Sequence, residues 1–328
     1  MEDVVLLADP KTPAWDFAKK IQDYIYKTRE EEIHLCKLEM THFRDKENLP
    51  YVPENIRKKD VYLIQSSNKR PNDWLAELIL TKDLCRSADV NDLIYVLPYI
   101  RYQRQDRKDK SRVPISTRAI ADAISPGLKR IITMDLHSPE IENAYHIPLD
   151  NLHSFPQLVK HLRENHNSDL ENLAVISPDK GGVGRADALK KRLVKTEKHY
   201  SSDNYSLAMT IKLRDKPGSI EDMFLNGDVN GKNIIIVDDI CDSGDTLLWS
   251  ARLLKANGAK KLLAYTTHAL FTKGTKEILD TFDVFITSNT HYDSKKNRGD
   301  IEVIDMTSTF AEAIYRAQKG LSVSKLFE

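Results

Sequence analysis

Residues Ile234–Thr246 read IIIVDDICDSGDT, and this stretch decides the fold. Four consecutive β-branched residues predict a strand buried on both faces, as a parallel sheet requires. The strand then ends on Asp238 and Asp239, with Asp242 and Asp245 close behind, so four carboxylates fall within eight residues. Like charges this near one another repel, and a partner must compensate them. A polyol can do so by donating hydroxyl hydrogens, and Mg²⁺ by screening or coordination. Ser243, Gly244 and Thr246 open a helix whose apolar stripe includes Leu247, Leu248, Ala251 and Leu254. Free backbone N–H groups and the helix dipole converge at such a turn, where a phosphate fits. An acidic cap on a surface helix is the plainer alternative, but two adjacent aspartates closing a buried strand are unusual for one.

The pattern repeats outward in both directions. Short apolar runs such as Val4–Ala8, Val61–Gln65, Leu93–Ile100, Ile131–Leu136, Ala174–Ser177 and Leu262–Ala269 alternate with amphipathic stretches such as Pro13–Lys27, Asp73–Ser87, Phe155–Glu164 and Thr307–Lys319. Strand and helix alternating this often predict an α/β protein with parallel sheets. At 328 residues the chain is about twice a typical domain. The polar stretch Tyr145–His153, with Pro148, divides it into similar halves, so two doubly wound domains are expected, 1–148 and 149–328, with the packing of the last helix back on the first domain an open alternative.

Arg101–Arg112 reads RYQRQDRKDKSR, six basic side chains against two acidic ones, net +4, after a buried-looking strand and before Pro114. Strand carboxyl ends are where open α/β sheets bind ligands. Charge runs are most often solvated faces, yet arginine forks bind phosphate oxygens bidentately, and here arginine dominates. Asp106 and Asp109 are expected to orient those forks or touch a metal.

Composition bounds the rest. Lys and Arg total 49, as do Asp and Glu, so no net field draws the chain to DNA or an anionic membrane. The absence of clustered aromatics for base stacking also argues against nucleic acid. No apolar run approaches a membrane span. Cys36, Cys85 and Cys241 are odd in number and form no CxxC pair, which suits a reducing compartment. The start Met1-Glu2-Asp3 has no secretory pattern, and a cytoplasmic location is expected.

IIIVDDICDSGDT resembles the phosphoribosyl-binding motif shared by type I phosphoribosyltransferases and ribose-phosphate diphosphokinases. RQDRKDKSRVPIS separates the two, being similar to the nucleotide-binding signature of the diphosphokinases alone. Further matches run in order: FRDKE at Phe43–Glu47, DVYLIQS at Asp60–Ser66, ITMDLH at Ile132–His137, SPDKGG at Ser177–Gly182, KLR at Lys212–Arg214 and VSKLF at Val323–Phe327. The resemblance covers essentially the full length. It implies two phosphoribosyltransferase-like domains and Mg²⁺-dependent transfer of the β,γ-diphosphoryl group of ATP to the C1 hydroxyl of ribose 5-phosphate, giving phosphoribosyl diphosphate (PRPP) and AMP.

Carried onto this sequence, the resemblance implies ATP contacts from Arg104, Gln105 and Asp109. It implies adenine recognition by Phe43, Asp45 and Glu47 reaching into a neighbouring subunit, hence a homo-oligomer of dimer to hexamer size. His137 and Asp179 resemble metal-associated positions near the triphosphate, His137 also contacting ATP. Asp238 and Asp239 would hold the ribose 2- and 3-hydroxyls, while Asp242, Ser243, Gly244, Asp245 and Thr246 would cradle the 5-phosphate. Lys212 and Arg214 match a catalytic loop. Taken alone, His137 reads as a structural residue, Asp179 as a turn carboxylate, Phe43 as core, and Lys212 and Arg214 as ordinary cations. Asp245 departs from the family by adding a negative charge beside a phosphate, and Gly184 stands where a lysine is common. Asn55-Ile56-Arg57 replaces a serine of the allosteric anion site. Rival expectations are a catalytically silent homologue that regulates an active synthase, and a transferase that consumes PRPP. The first is disfavoured because Lys212, Arg214, Asp238 and Asp239 are all present, the second because RQDRKDKSR would have no task.

Overall fold

The computed structural model describes residues 1–195, 205–213, 222–293 and 299–327. They form two compact units, Met1–His153 with Met306–Glu328, and Ser154–Asp305.

The first unit is built on a six-stranded sheet. Its strands are β1 (Val4–Ala8), β2 (His34–Lys37), β5 (Asp60–Ile64), β6 (Asp92–Val96), β7 (Arg130–Met134) and β8 (Leu149–Leu152), in the order β2-β1-β5-β6-β7-β8 with every pair parallel. A separate antiparallel hairpin, β3 (Glu39–His42) and β4 (Asn48–Tyr51), projects between β2 and β5. Three helices cross over: α1 (Pro13–Arg29), α2 (Pro71–Ser87) and α3 (Ser116–Ile124). α1 shows why such segments become helices: Pro13 is at its start, Asp16 in the first turn, Lys27 and Arg29 in the last, and Glu30 closes it in the left-handed region. Trp74 and Leu78 of α2 and Ile120 and Ile124 of α3 pack with Val5, Leu7, Leu63 and Tyr95 from one face of the sheet.

The second unit is a seven-stranded sheet, ordered β11-β10-β9-β12-β13-β14-β15. It comprises β9 (Leu173–Ser177), β10 (Tyr205–Leu213), β11 (Asp222–Asn226), β12 (Asn233–Cys241), β13 (Lys261–Ala269), β14 (Val284–Ser288) and β15 (Ile301–Ile304). Only β11, at one edge, is antiparallel. Helices α4 (Phe155–Asn165), α5 (Val183–Lys195), α6 (Asp245–Ala256) and α7 (Lys276–Thr281) accompany it. Ile234–Val237 are wholly buried at the centre, as their unbroken hydrophobicity requires.

The last helix, α8 (Thr307–Gln318), belongs to the first unit, which differs from the expected second domain 149–328. The reason is its apolar face. Phe310 packs edge-on against Phe17 of α1, ring centroids 5.4 Å apart, while Gln318 accepts a hydrogen bond from Tyr62 of β5 and donates one to Asp60. Arg29 of α1 grips Glu312 of α8 with 2.8 Å hydrogen bonds to both carboxylate oxygens. The division between the units falls at the end of the stretch 145–153, after His153, because Leu149–Leu152 is the sixth strand of the first sheet.

Phe310→Ala opens a cavity under a fully buried ring and should cost about 3–5 kcal/mol; a thermal melt with a transition unchanged from the parent would show that α8 does not complete this core.

Candidate active site

Doubly wound sheets bind ligands where the strand order reverses, outside the carboxyl ends of the strands. In the second unit that point lies between β9 and β12, since the chain goes from β9 to β10 on one side and returns to β12 on the other. β9 ends at Ser177, followed by Pro178 and Asp179, and β12 carries Asp238 and Asp239 in its last four residues. The acidic motif therefore sits at the reversal.

Its repulsion is met by Arg185, in the first turn of α5. One guanidinium nitrogen, Nη1, lies 3.1 Å from Oδ1 of Asp238 and 3.1 Å from Oδ1 of Asp239. The Asp239 backbone N–H donates to Asp238 Oδ1 at 2.9 Å. Asp239 is only 2% exposed. One arginine nitrogen thus faces two carboxyl groups, that of Asp239 buried and that of Asp238 partly so. Burial, together with the Asp239 charge, raises the Asp238 carboxyl well above its ordinary value despite Arg185, and Asp179 adds to the rise. Sequence reading missed Arg185. A cation in the first turn after SPDKGG, at the expected reversal point, was the signal.

The Asp179 carboxylate accepts the Gly182 N–H at 3.0 Å through Oδ1, the turn role that its sequence allowed. Its other oxygen takes no hydrogen bond among the described residues. Gly182 is required here, because a Cβ would stand 2.7 Å from the Ser177 hydroxyl.

Beyond β12 the turn enters α6. Gly244 caps the helix in the left-handed region at φ 85°, where a side chain would also press on Ile278. Asp242 is fixed from the loop after β13: Thr272 donates its hydroxyl to the Asp242 carboxylate at 2.8 Å and its N–H to the Asp242 carbonyl at 2.9 Å. The unexpected charge of Asp245 is also answered. Lys273 donates to both of its oxygens at 2.8 and 3.0 Å, and Ser243 donates its hydroxyl at 2.9 Å. The Lys273 hydrogen bond holds the Asp245 carboxyl below its ordinary value. Thr246 follows as the second residue of the helix.

In the first unit, Arg104, Gln105 and Asp109 lie on the loop between β6 and α3, and His137 lies just beyond β7. Gln103, buried, ties the two loops together, its side-chain carbonyl accepting the His137 N–H at 3.0 Å. The Ser138 hydroxyl donates to Asp106 at 2.5 Å as a second tie. Asp106 thus positions the neighbouring loop. The Gln105 side chain accepts from the Ser116 hydroxyl at 2.8 Å. Arg101 is spent on the backbone, donating to the Ser67 and Lys69 carbonyls, so it anchors the basic loop. Arg104 and Asp109 are exposed.

Phe43 is 52% exposed at the tip of the β3–β4 hairpin, and not core. Asp45 accepts the Glu47 N–H at 3.1 Å, and the Phe43 N–H reaches the Glu47 carbonyl at 2.9 Å, so the three residues share one tight tip. A cleft of about 640 Å³ opens at the reversal point of this sheet, lined by Lys11 and Thr12 after β1, Lys69 and Arg70 after β5, and Phe43 and Arg44 of the hairpin. Of the sequence-predicted ATP residues, Phe43 alone lines it. Lys212 lies near the end of β10, paired with Met223 of β11; Arg214 lies outside the described residues.

Two α/β units, one with cation-rich loops and one with an arginine-bridged acidic pair leading into a helix start, suit an enzyme class that handles phosphorylated sugars. The comparisons place it within that class. Residues 11–126 match the family model described as the N-terminal domain of ribose phosphate pyrophosphokinase, and residues 181–328 match that of the phosphoribosyl synthetase-associated domain. The ribose-phosphate pyrophosphokinase of Rhizobium meliloti is 38% identical over 304 residues, covering 90% of this chain and 93% of that one. That of Haemophilus influenzae is 36% identical with both chains fully covered. The crystal structure of phosphoribosylpyrophosphate synthetase from Mycobacterium smegmatis matches with a TM-score of 0.84 at 25% identity, over 97% of this chain and 99% of that chain. The chain belongs to the ribose-phosphate pyrophosphokinase family. These relatives carry the enzyme's name, and nothing in them favours a silent regulator.

The raised Asp238 carboxyl sets a pH dependence. The folded state holds that proton more tightly than the unfolded chain, so the stability it confers is present below the ordinary carboxyl value of 3.8 and falls as pH rises through the higher folded value. Asp238→Asn should therefore raise the ligand-free melting temperature near neutral pH more than in mild acid; equal shifts at both would mean that Asp238 carries no such proton.

Proposed function

We propose that the protein is a ribose-phosphate diphosphokinase, transferring the β,γ-diphosphoryl group of ATP to the C1 hydroxyl of ribose 5-phosphate. The observation that carries this reading is the pair Asp238–Asp239, bridged by Arg185 at the sheet reversal and followed at once by the Gly244 turn into α6. Two carboxylate faces accept the 2- and 3-hydroxyls of a ribose, and the N–H groups of Ser243, Gly244, Asp245 and Thr246 receive the 5-phosphate at the positive end of α6. The Lys273–Asp245 pair keeps the extra carboxylate from repelling that phosphate.

On the donor side, Arg104, Gln105, Asp109 and His137 hold the triphosphate, on loops cross-tied by Gln103 and Asp106. The exposed Phe43 ring with Asp45 and Glu47 supplies adenine recognition to a neighbouring protomer in a homo-oligomer. The ribose O1 attacks the β-phosphorus, and the bond from that phosphorus to the α,β-bridging oxygen breaks. Its electron pair leaves with AMP, and the O1 proton passes to solvent. Charge grows on the equatorial oxygens, so cations and positioning matter more than covalent chemistry. Lys212 and Arg214 are the cations assigned to that charge.

The donor set fits Mg²⁺. Hard carboxylate oxygens outnumber the single arginine among Asp179, Asp238 and Asp239, and Asp179 keeps one oxygen in reserve. Asp179 would hold an ion in the second unit, and His137 is assigned a metal-associated place in the first. When bound, Mg²⁺ screens the triphosphate oxygens. Among the described residues no helix is long and apolar enough to cross a membrane, and a cytoplasmic location fits the three buried free cysteines.

Incubation with ATP, Mg²⁺ and ribose 5-phosphate should yield AMP and PRPP in equal amounts, resolved by chromatography; ADP as the nucleotide product would replace this reading with single phosphoryl transfer. Lys273→Met should raise the KM for ribose 5-phosphate with little change for ATP, and adding Asp245→Ala should restore it. A double variant as impaired as the single one would mean that Lys273 acts other than by neutralising Asp245.

A further inference from the structure

The amino-terminal edge of the second sheet, opposite the edge that carries Asp238 and Asp239, holds a second cluster of chemically capable side chains. α4 ends there with His161 in its last turn and His166 just past its end, against Glu302 in the first half of edge strand β15. His161 Nε2 lies 2.6 Å from Glu302 Oε2, and His166 Nε2 lies 2.9 and 3.0 Å from its two oxygens. The ligand atoms of the three residues lie within 4.8 Å of one another. We propose that His161, His166 and Glu302 form a binding site for a divalent transition-metal ion of the zinc type, clipping the end of α4 to the edge of the sheet.

Three features carry this assignment. Two imidazoles and one carboxylate form a donor set that suits zinc, whereas Mg²⁺ selects oxygen alone. Both rings turn Nε2 toward the shared carboxylate and leave Nδ1 outward. His166 Nδ1 faces the Asp169 carboxylate at 3.4 Å, and Asp169 is itself fixed by Lys261 at 2.7 Å. That carboxylate–histidine arrangement orients metal-binding imidazoles and raises their basicity. The Asn165 side chain lies 3.4 Å from His161 Nδ1. Metal bonds of about 2.0–2.2 Å set neighbouring ligand atoms about 3.3 Å apart in a tetrahedron, so the 2.6 Å His161–Glu302 contact must open by about 0.7 Å and the 2.9 Å His166–Glu302 contact by about 0.4 Å. The side chains of His161, His166 and Glu302 are 22%, 11% and 35% exposed, which leaves an entry path and room for water as a fourth ligand.

The site is tested on the full chain, stripped with EDTA and titrated with ZnCl₂ by calorimetry in excess MgCl₂, so that oxygen-rich sites are already filled. His161→Asn and Glu302→Gln should each bind one equivalent fewer than the parent, and Asp169→Asn should retain the equivalent with affinity lowered about 10–100-fold. Should a variant fail to fold, Co²⁺ added to the unaltered protein gives an independent readout. Intense visible absorption marks four- or five-coordinate metal, and only the weak bands of an octahedral ion would overturn the proposal. So would parent-like zinc binding in both His161→Asn and Glu302→Gln, or no zinc binding by the parent.

Discussion

One arginine between two aspartates is the constraint on which the rest depends. A strand buried on both faces delivers Asp238 and Asp239 side by side into a region with little water, where two full negative charges cannot stand unanswered. Arg185 brings one positive charge to the pair, and the Asp238 carboxyl rises in answer to the rest. Hydroxyl donors or a hard cation can take up the oxygens of the pair. Removal of Arg185 would raise the Asp238 carboxyl further, turning one of its oxygens from an acceptor into a donor. The helix α5 that carries Arg185 follows directly from the Asp179 turn, so the turn, the cation and the acidic pair form one assembly.

Much of this was legible in the sequence because the physics is local. Four β-branched residues in a row specify a central strand whatever surrounds them, and β1 was found as Val4–Ala8, the residues it occupies. The family motifs fixed the acidic loop and the basic loop by residue type and order. What escaped reading depends on distant partners. The apolar run Ile33–Met40 could pass for one strand, yet it is divided between β2, which pairs with β1, and the hairpin strand β3, which pairs with β4. β8 is half-polar and β11 is a short edge strand, so neither shows the alternation that marks a strand.

The site shows the same division. The aspartates announced themselves, whereas Arg185, Gln103 and Lys273 did not. A lone cation or amide carries no signal until the fold shows what it faces. Arg101 marks the opposite error: it belongs to the basic run by composition, yet its guanidinium is committed to two carbonyls of the preceding loop. Asp245, suspect in the sequence as a charge in the wrong place, becomes ordinary once Lys273 is seen beside it.

The return of α8 to the first unit affects how the protein is made. Residues 1–153 leave the ribosome before α8, the helix that packs on α1 beside their sheet. The intervening unit has its whole sequence in hand earlier and can reach its native packing while the earlier-made portion still waits, which reverses the usual order of synthesis and maturation. The closing segment thus acts as a timer: the first sheet is sealed only after the second unit has been made.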